Sequence, residues 1–245
     1  VSVLLIERGN TAWKIAKATR NGSVEFLARG AGDNELEQFI LEQKPRQIAA
    51  ATVAPDESLD VILKLSEAQG IDYCQVKTSP DFGVTHCYKD YHRLGVDRWL
   101  TLVALASEVK ETTLIIDAGT AVTADLIDSN GQHLGGWIAP GVKLMQESLV
   151  TKSNRLTVND EIPDTVFAAN TESAIWSGTA AALKGFCEQA LHQASIVCGH
   201  KCSVVLTGGD AELLLQEPAF ADAEFRPHLV LEGLNRWMQL RKDEI

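Results

Sequence analysis

The chain has 245 residues, 45 % hydrophobic and 22 % charged, an ordinary globular composition with ample core for one large domain or two small ones. Its net charge of −11 argues against a nucleic-acid binder that neutralises phosphates, so an anionic ligand must be held by local amides, a metal and a few placed cations. No apolar run reaches membrane-spanning length, the first residues carry no signal-peptide pattern, and five irregularly spaced cysteines (Cys74, Cys87, Cys187, Cys198, Cys202) suit a reducing cytoplasm.

Leu4-Leu5-Ile6 reads as an apolar strand, followed by Glu7, Arg8, Gly9, Asn10 and Thr11 in a tight turn and by a returning strand through Lys14 and Ile15. Asn21-Gly22 marks the next turn, into a short strand at Ser23–Leu27. A helix is expected from Asp33-Asn34, with Leu36, Phe39 and Ile40 on one face and Pro45 ending it. Gln47–Val53 has the length of a buried strand, Ser58–Gln69 the spacing of a helix stopped by Gly70, and Ile71–Val76 the alternation of a strand. Alternating strands and helices indicate an α/β fold.

Residues 79–98 are irregular, and the chain turns apolar and helix-friendly from Asp97 onward. An aspartate at a helix start is favoured by the helix dipole, and Asp97 beside Arg98 reads either as a cap with an exposed neighbour or as a base and a cation at a binding edge. In the second case Asp97 accepts a proton from a substrate hydroxyl and Arg98 grips a substrate carboxylate through its fork.

Residues 109–113 form the expected boundary between subdomains 1–112 and 113–245. The second opens on Leu114-Ile115-Ile116-Asp117-Ala118-Gly119-Thr120, a strand running into a glycine turn, with Thr123 and Asp125 in the returning strand. Amides of such a turn suit an anion, and a carboxylate at its mouth makes sense only with a cation between them, which points to Mg²⁺-ATP. This hairpin repeats the first one. Leu4-Leu5-Ile6 lies over Leu114-Ile115-Ile116, Glu7 over Asp117, Gly9 over Gly119 and Asn10 over Thr120, which implies two similar subdomains, each offering one phosphate-facing turn to a shared cleft.

Farther on, Leu134–Gly141 concentrates glycine and proline, implying close backbone packing or a loop against a ligand. A helix follows over Val142–Val150, then an irregular connection over 151–169, and then a long helix capped by Thr171 whose small-residue face, Ala174 to Ala182, suits a dimer contact. Ser203–Thr207 reads as a strand ending in the Gly208-Gly209 turn, and residues 229–240 as a last helix with Val230, Leu234, Trp237 and Met238 on one face. The run Cys198-Gly199-His200-Lys201-Cys202 lacks a second ligand pair at zinc-like spacing and reads as structural.

Taken together, Gly9-Asn10-Thr11, Gly95-Val96-Asp97-Arg98-Trp99, Asp117-Ala118-Gly119-Thr120-Ala121 with Thr123 and Asp125, Gly135-Gly136 through Pro140-Gly141, Asn170-Thr171 with Ala174, Ile175 and Gly178, and Thr207-Gly208-Gly209 resemble the type III pantothenate kinases. These belong to the acetate and sugar kinase/Hsp70/actin superfamily. The resemblance implies two ribonuclease-H-like (actin-like ATPase) subdomains with a cleft between them, and ATP-dependent phosphorylation of pantothenate, the first step of coenzyme A synthesis. It further implies Asp97 as catalytic base, and a substrate site of Arg98, Gly95, Val96 and Tyr88, with Tyr91 the lesser alternative to Tyr88. Thr179 would reach the substrate of the partner in a homodimer. Phosphate and nucleotide would be held by Glu7, Gly9, Asn10, Thr11, Lys14, Gly119, Thr120, Gly208 and Gly209, with Asp117 and Glu7 at Mg²⁺. A monovalent cation, K⁺ or NH₄⁺, is also implied, with no nucleic acid and no membrane as partner. One residue departs from the pattern: Glu7 stands where the family usually has aspartate, followed by Arg8, whose salt bridge could draw Glu7 away from the site. That departure keeps a non-catalytic, regulatory relative in view, beside a kinase for another hydroxylated acid.

Overall fold

A computed structural model describes residues 2–19, 23–152, 157–158, 162–163, 165 and 167–242. The expected Asn21-Gly22 turn, and parts of the 151–169 connection, lie outside the described residues. The elements in chain order are β1 (Val3–Arg8), β2 (Trp13–Ala18), β3 (Val24–Gly30), α1 (Asp33–Gln43), β4 (Gln47–Thr52), α2 (Asp60–Gln69), β5 (Asp72–Val76) and α3 (Val96–Leu105). They continue with β6 (Thr113–Ala118), β7 (Ala121–Ile127), β8 (His133–Pro140), α4 (Val142–Lys152), α5 (Thr171–Cys198), β9 (Ser203–Thr207), α6 (Glu212–Leu215), β10 (Glu224–Phe225) and α7 (Leu229–Lys242).

The chain forms two units, one of Val1–Lys110, Asp128–Leu134 and His228–Ile245, the other of Glu111–Ile127 and Gly135–Pro227. The long N-terminal segment of the first unit ends at Lys110, and the second unit begins at Glu111. The C-terminal segment does not follow the expected 113–245 grouping, because α7 packs on α3 within the first unit. The reason is local: a Cβ at Gly233 would lie 1.9 Å from the Leu100 carbonyl oxygen, so the glycine lets the two helix backbones touch. Val230, Leu234, Trp237 and Met238 all point inward from α7 and are buried.

In the first unit the strand order is β3-β2-β1-β4-β5, with β1, β2 and β3 antiparallel and β1, β4 and β5 parallel. Successive strand residues point to opposite faces. Leu4 and Ile6 of β1 join Trp13, Ile15, Leu36, Ile40 and Ile62 in one core, on the side of α1 and α2. Leu5 points the other way and is equally buried. Each of these aliphatic side chains contributes about 1.5–3 kcal/mol when fully buried, which is why the strand reads as a continuous apolar run instead of alternating.

The second unit repeats the plan. Its order, read from the opposite edge, is β8-β7-β6-β9-β10, with β6 antiparallel to β7 and parallel to β9, and β9 parallel to β10. Leu114, Ile116, Val122 and Ala124 pack with Leu183, Cys187 and Ala190 of α5 and with Leu206 and Phe220. The glycine-rich stretch from residue 134 is a strand, not a loop. Its close packing sits at its end, where a Cβ on Gly141 would lie 2.1 Å from the Gly119 carbonyl oxygen. The N-cap of α5 is Asn170, whose side chain accepts from the Ser173 amide at 2.8 Å, so the expected Thr171 is instead the first helical residue.

Candidate functional site

The β1–β2 hairpin places Glu7 directly opposite Lys14, and Arg8 opposite Trp13. Lys14 Nζ donates to both carboxylate oxygens of Glu7, at 3.1 and 3.3 Å. Arg8 turns elsewhere, donating from Nη2 to Asp33 Oδ1 at 2.6 Å. The partner of Glu7 is therefore Lys14, and the alternative of an Arg8 salt bridge drawing Glu7 away is not what the hairpin forms: adjacent residues of a strand project to opposite faces, so Arg8 cannot share the face of Glu7. Gly9, Asn10 and Thr11 form the turn itself, closed by the Gly9 amide on the Ala12 carbonyl at 2.9 Å, with Asn10 and Thr11 exposed.

The β6–β7 hairpin of the second unit is the same device with one residue fewer. Arg8 pairs with Trp13 across four turn residues, whereas Ala118 pairs with Val122 across three. Thr123 occupies the position opposite Asp117 that Lys14 holds opposite Glu7. Gly119 bonds to the Ala121 carbonyl at 3.1 Å and Thr120 is exposed at the tip. Asp125 is buried opposite Ile115 in the same ladder. Behind the Asp117 carboxylate stands Gly208, with φ +93°, where a Cβ would lie 2.4 Å from the Ala118 carbonyl oxygen and 2.5 Å from Asp117 Oδ1. Only glycine fits there, in conformation and in space. Gly209 follows, exposed, and Asp210 donates its amide back to Ala118 at 2.8 Å. An oxygen donor such as Asp117, in a glycine cradle beside bare turn amides, suits Mg²⁺, which takes one or two carboxylates and completes its shell with phosphates and water. Among the described residues no group of three or more His, Cys, Asp or Glu gathers to hold a metal by protein ligands alone.

The third cluster lies at the start of α3 in the first unit. Gly95 caps the helix with extended backbone, and Val96 is the first helical residue and is buried. Asp97 is the second helical residue and not the cap, and its Oδ1 accepts from the Arg98 amide at 2.7 Å. That position for the carboxylate depends on Gly95, because a Cβ there would stand 2.6 Å from Asp97 Oδ1. The Arg98 side chain runs inward and is only 4 % exposed. Its Nη1 donates to the Tyr88 hydroxyl at 3.1 Å, and its Cζ lies 5.9 Å from the centre of the Tyr88 ring. Tyr91 packs instead against His92, with ring centres 4.0 Å apart and planes tilted by 36°, so the structure brings Tyr88 and not Tyr91 to Arg98.

Thr179 belongs to α5 of the second unit. It is buried on α5, donates to the Ile175 and Trp176 carbonyls at 2.9 and 3.0 Å, and accepts from Gln146 of α4 at 3.3 Å. It lines an apolar groove of about 780 Å³ with Met145, Leu149, Ile175 and Gly178. Cys202, at the end of the Cys-Gly-His-Lys-Cys run, is buried with its thiol on the Thr112 carbonyl at 3.2 Å.

The family model for type III pantothenate kinase matches residues 3–193. The chain belongs to the type III pantothenate kinase family. It is 32 % identical over 244 residues to the type III pantothenate kinase of Pseudomonas aeruginosa, covering 95 % of this chain and 97 % of that one. Against the type III pantothenate kinase of Ectopseudomonas mendocina it is 35 % identical over 247 residues, with the same shares covered. Among solved structures it is similar to a conserved Campylobacter jejuni protein described as a Baf family transcriptional activator (24 % identity, TM-score 0.62, covering 98 % and 99 % of the two chains). It also resembles the activator of 2-hydroxyisocaproyl-CoA dehydratase from Clostridium difficile with bound ADPNP (12 % identity, TM-score 0.50, covering 100 % and 98 %). These structural likenesses concern the fold, the two-unit α/β plan of the actin-like ATPases.

Two residues beside the Arg98 cluster carry no signal in the sequence. His133 is fully buried at the start of β8, and its ring stacks on Tyr88 with centres 6.0 Å apart and planes 12° apart. Cys87 places its sulphur 3.5 Å from His133 Nδ1. Residues 87 and 133 are too far apart in the chain for any local pattern to link them.

Proposed function

We propose that this family member transfers the terminal phosphoryl group of ATP to the primary hydroxyl of pantothenate, yielding 4'-phosphopantothenate at the entry to coenzyme A synthesis. The observation that carries the reading is the start of α3, where a carboxylate and a buried guanidinium on consecutive residues serve one family motif. Phosphoryl transfer leaves little covalent work for the protein and depends on positioning and charge.

In this reading Asp97 accepts the proton of the attacking hydroxyl. It is fixed by the Arg98 amide at a helix N-terminus that favours its negative charge. Arg98 binds the pantothenate carboxylate through its planar fork, oriented by Tyr88. The turns at Gly9-Asn10-Thr11 and Gly119-Thr120 present amides to phosphate oxygens, Lys14 adds a positive charge, and Gly208-Gly209 lies toward the nucleoside. Asp117 would hold Mg²⁺, directly or through water, with Glu7 as the second carboxylate. A bound divalent cation neutralises charge on the phosphoryl oxygens. K⁺ or NH₄⁺ completes the requirement, on the strength of the family likeness.

We further propose a homodimer formed through the apolar α4–α5 groove, where Leu144 and Leu149 are exposed, so that Thr179 serves a partner's substrate. The cytoplasm is the proposed location, in keeping with cysteines that are all free thiols. None of the described helices is long and apolar enough to cross a membrane.

The test is ADP release on mixing the protein with Mg²⁺-ATP and pantothenate, in K⁺ and then in Na⁺. Pantothenate-dependent release in K⁺, abolished by Asp97→Asn, is the expected result. Folded, dimeric protein that releases no ADP in response to pantothenate overturns the reading.

A further inference from the structure

Cys87 is the exposed end of a chain of contacts that runs inward to Arg98. Its Sγ lies 3.5 Å from His133 Nδ1, the His133 ring stacks on Tyr88, and the Tyr88 hydroxyl accepts from Arg98 Nη1 at 3.1 Å. The four residues belong to one unit of the fold. Burial differs sharply along the chain: His133 is 0 % exposed and Arg98 4 %, while Cys87 is open to solvent. An imidazole held against an accessible thiol is the arrangement that favours thiolate formation and nucleophilic attack.

The other cysteines make the contrast. Cys187 and Cys202 are buried, and burial pushes both thiols up to about 12. Cys198 is half-buried with no imidazole partner among the described contacts, and Cys74 is half-buried beside the Arg241 guanidinium at 2.6 Å. Cys74 is thus a second thiol with a cationic neighbour, but it lies on β5, with no described contact to Tyr88 or Arg98.

We propose that Cys87 is a thiol-modification site that controls access to the carboxylate-binding end of the substrate site, taking low-molecular-weight disulfides as its co-reactant. The Cys87 proton passes to His133 Nδ1. The thiolate sulphur attacks one sulphur of the disulfide, a new S–S bond forms to Cys87 as the old one breaks, and the departing thiolate takes up a proton. Cys87 is oxidised to the mixed disulfide and half of the co-reactant is reduced to thiol, so the exchange balances and a reducing thiol reverses it. With glutathione as the adduct, two carboxylates arrive next to Tyr88 and compete for the Arg98 guanidinium, besides filling the space in front of it. The consequence is weaker pantothenate binding with ATP binding untouched. This step rests on the assignment of Arg98 and Tyr88 to the substrate carboxylate.

The test uses the intact protein and glutathione disulfide, with peptide mapping by mass spectrometry alongside steady-state kinetics. The expected adduct on Cys87 raises KM for pantothenate about tenfold or more, leaves KM for ATP unchanged, and is reversed by dithiothreitol. Pantothenate slows adduct formation at Cys87 but not at Cys74, and Mg²⁺-ATP slows neither. Cys87→Ser keeps its basal activity and resists inactivation, whereas Cys74→Ser is inactivated like the native chain. His133→Asn slows labelling of Cys87 alone; if that variant does not fold, the relative labelling rates of Cys87 and Cys198 in the native chain decide the same point. Absence of an adduct at Cys87, or an adduct that leaves KM for pantothenate unchanged, overturns the proposal. Failure of the kinase reading shows separately, as unmodified protein with no pantothenate-dependent ADP release.

Discussion

Gly95→Ala isolates the placement of the base from everything else in the site. Gly95 has φ −53° and ψ 137°, values that alanine adopts freely, so the backbone tolerates the change. The added methyl does meet an obstacle. Its carbon would stand 2.6 Å from Asp97 Oδ1, while ordinary contact begins at about 3.4 Å, so the carboxylate must recede by about 0.8 Å or rotate away. Either motion also stretches the 2.7 Å bond from the Arg98 amide that holds it. A displacement of about 1 Å at a reacting group costs up to about a hundredfold in rate, so kcat should fall about 10- to 100-fold, equivalent to about 1.4–2.7 kcal/mol on the barrier. The assay is coupled ADP release at saturating Mg²⁺-ATP and pantothenate, with a thermal melt to confirm that the variant folds like the native chain. KM for ATP should not move. A variant with native melting and kcat within twofold of native would refute the reasoning, because it would mean that the position of Asp97 Oδ1 does not set the rate.

Other outcomes follow from the same geometry. In Gly233→Ala the methyl would stand 1.9 Å from the Leu100 carbonyl oxygen, forcing α7 off α3, and chemical denaturation should show a loss of about 3 kcal/mol or more. Glu7→Asp draws the carboxylate back from Lys14 by one methylene, and turnover should drop about tenfold; a rise would mark glutamate as a handicap at this position. His228 is held below the ordinary imidazole range, first by burial and then by the charge of Lys14, against the upward pull of Glu232 and Glu7. Its unfolded form therefore takes up a proton first, so the stability it contributes is present above pH of about 6.5 and is lost as pH falls toward the lowered folded value. Denaturation midpoints of His228→Phe, which keeps an aromatic ring against Phe26, should fall less than those of the native chain between pH of about 7 and 5, and parallel curves would contradict this.

Much of the fold was legible because it is written in local terms. The β1 and β6 strands are apolar on both faces, so they read as buried runs, and the glycine turn after each makes the duplication visible without any long-range information. Gly70 and the four apolar positions of α7 mark a helix end and a helix face that the structure reproduces. What stayed hidden depends on contacts between distant residues. Nothing near Arg8 announces Asp33, 25 positions away, as its partner, and the pairing of Glu7 with Lys14 follows only from which face of the hairpin each side chain takes. The strand from residue 133 was obscured by Gly135 and Gly136, which lower strand propensity locally while the neighbouring β7 supplies the pairing. His133 entered the Arg98 cluster through the fold alone.

The return of α7 to the first unit also has a consequence for synthesis. A ribosome delivers β1 to β5 and α3 before the second unit, and the Gly233 face of α7 after it. Until that helix emerges, the surface of α3 that carries Leu100 has no cover, although the complete second unit is already available to fold as a contiguous stretch apart from Asp128–Leu134. The unit that bears Asp97 and Arg98 thus closes only after the second unit has been made, and a nascent chain stalled before residue 229 would display an apolar helix face to chaperones although its second unit is already complete.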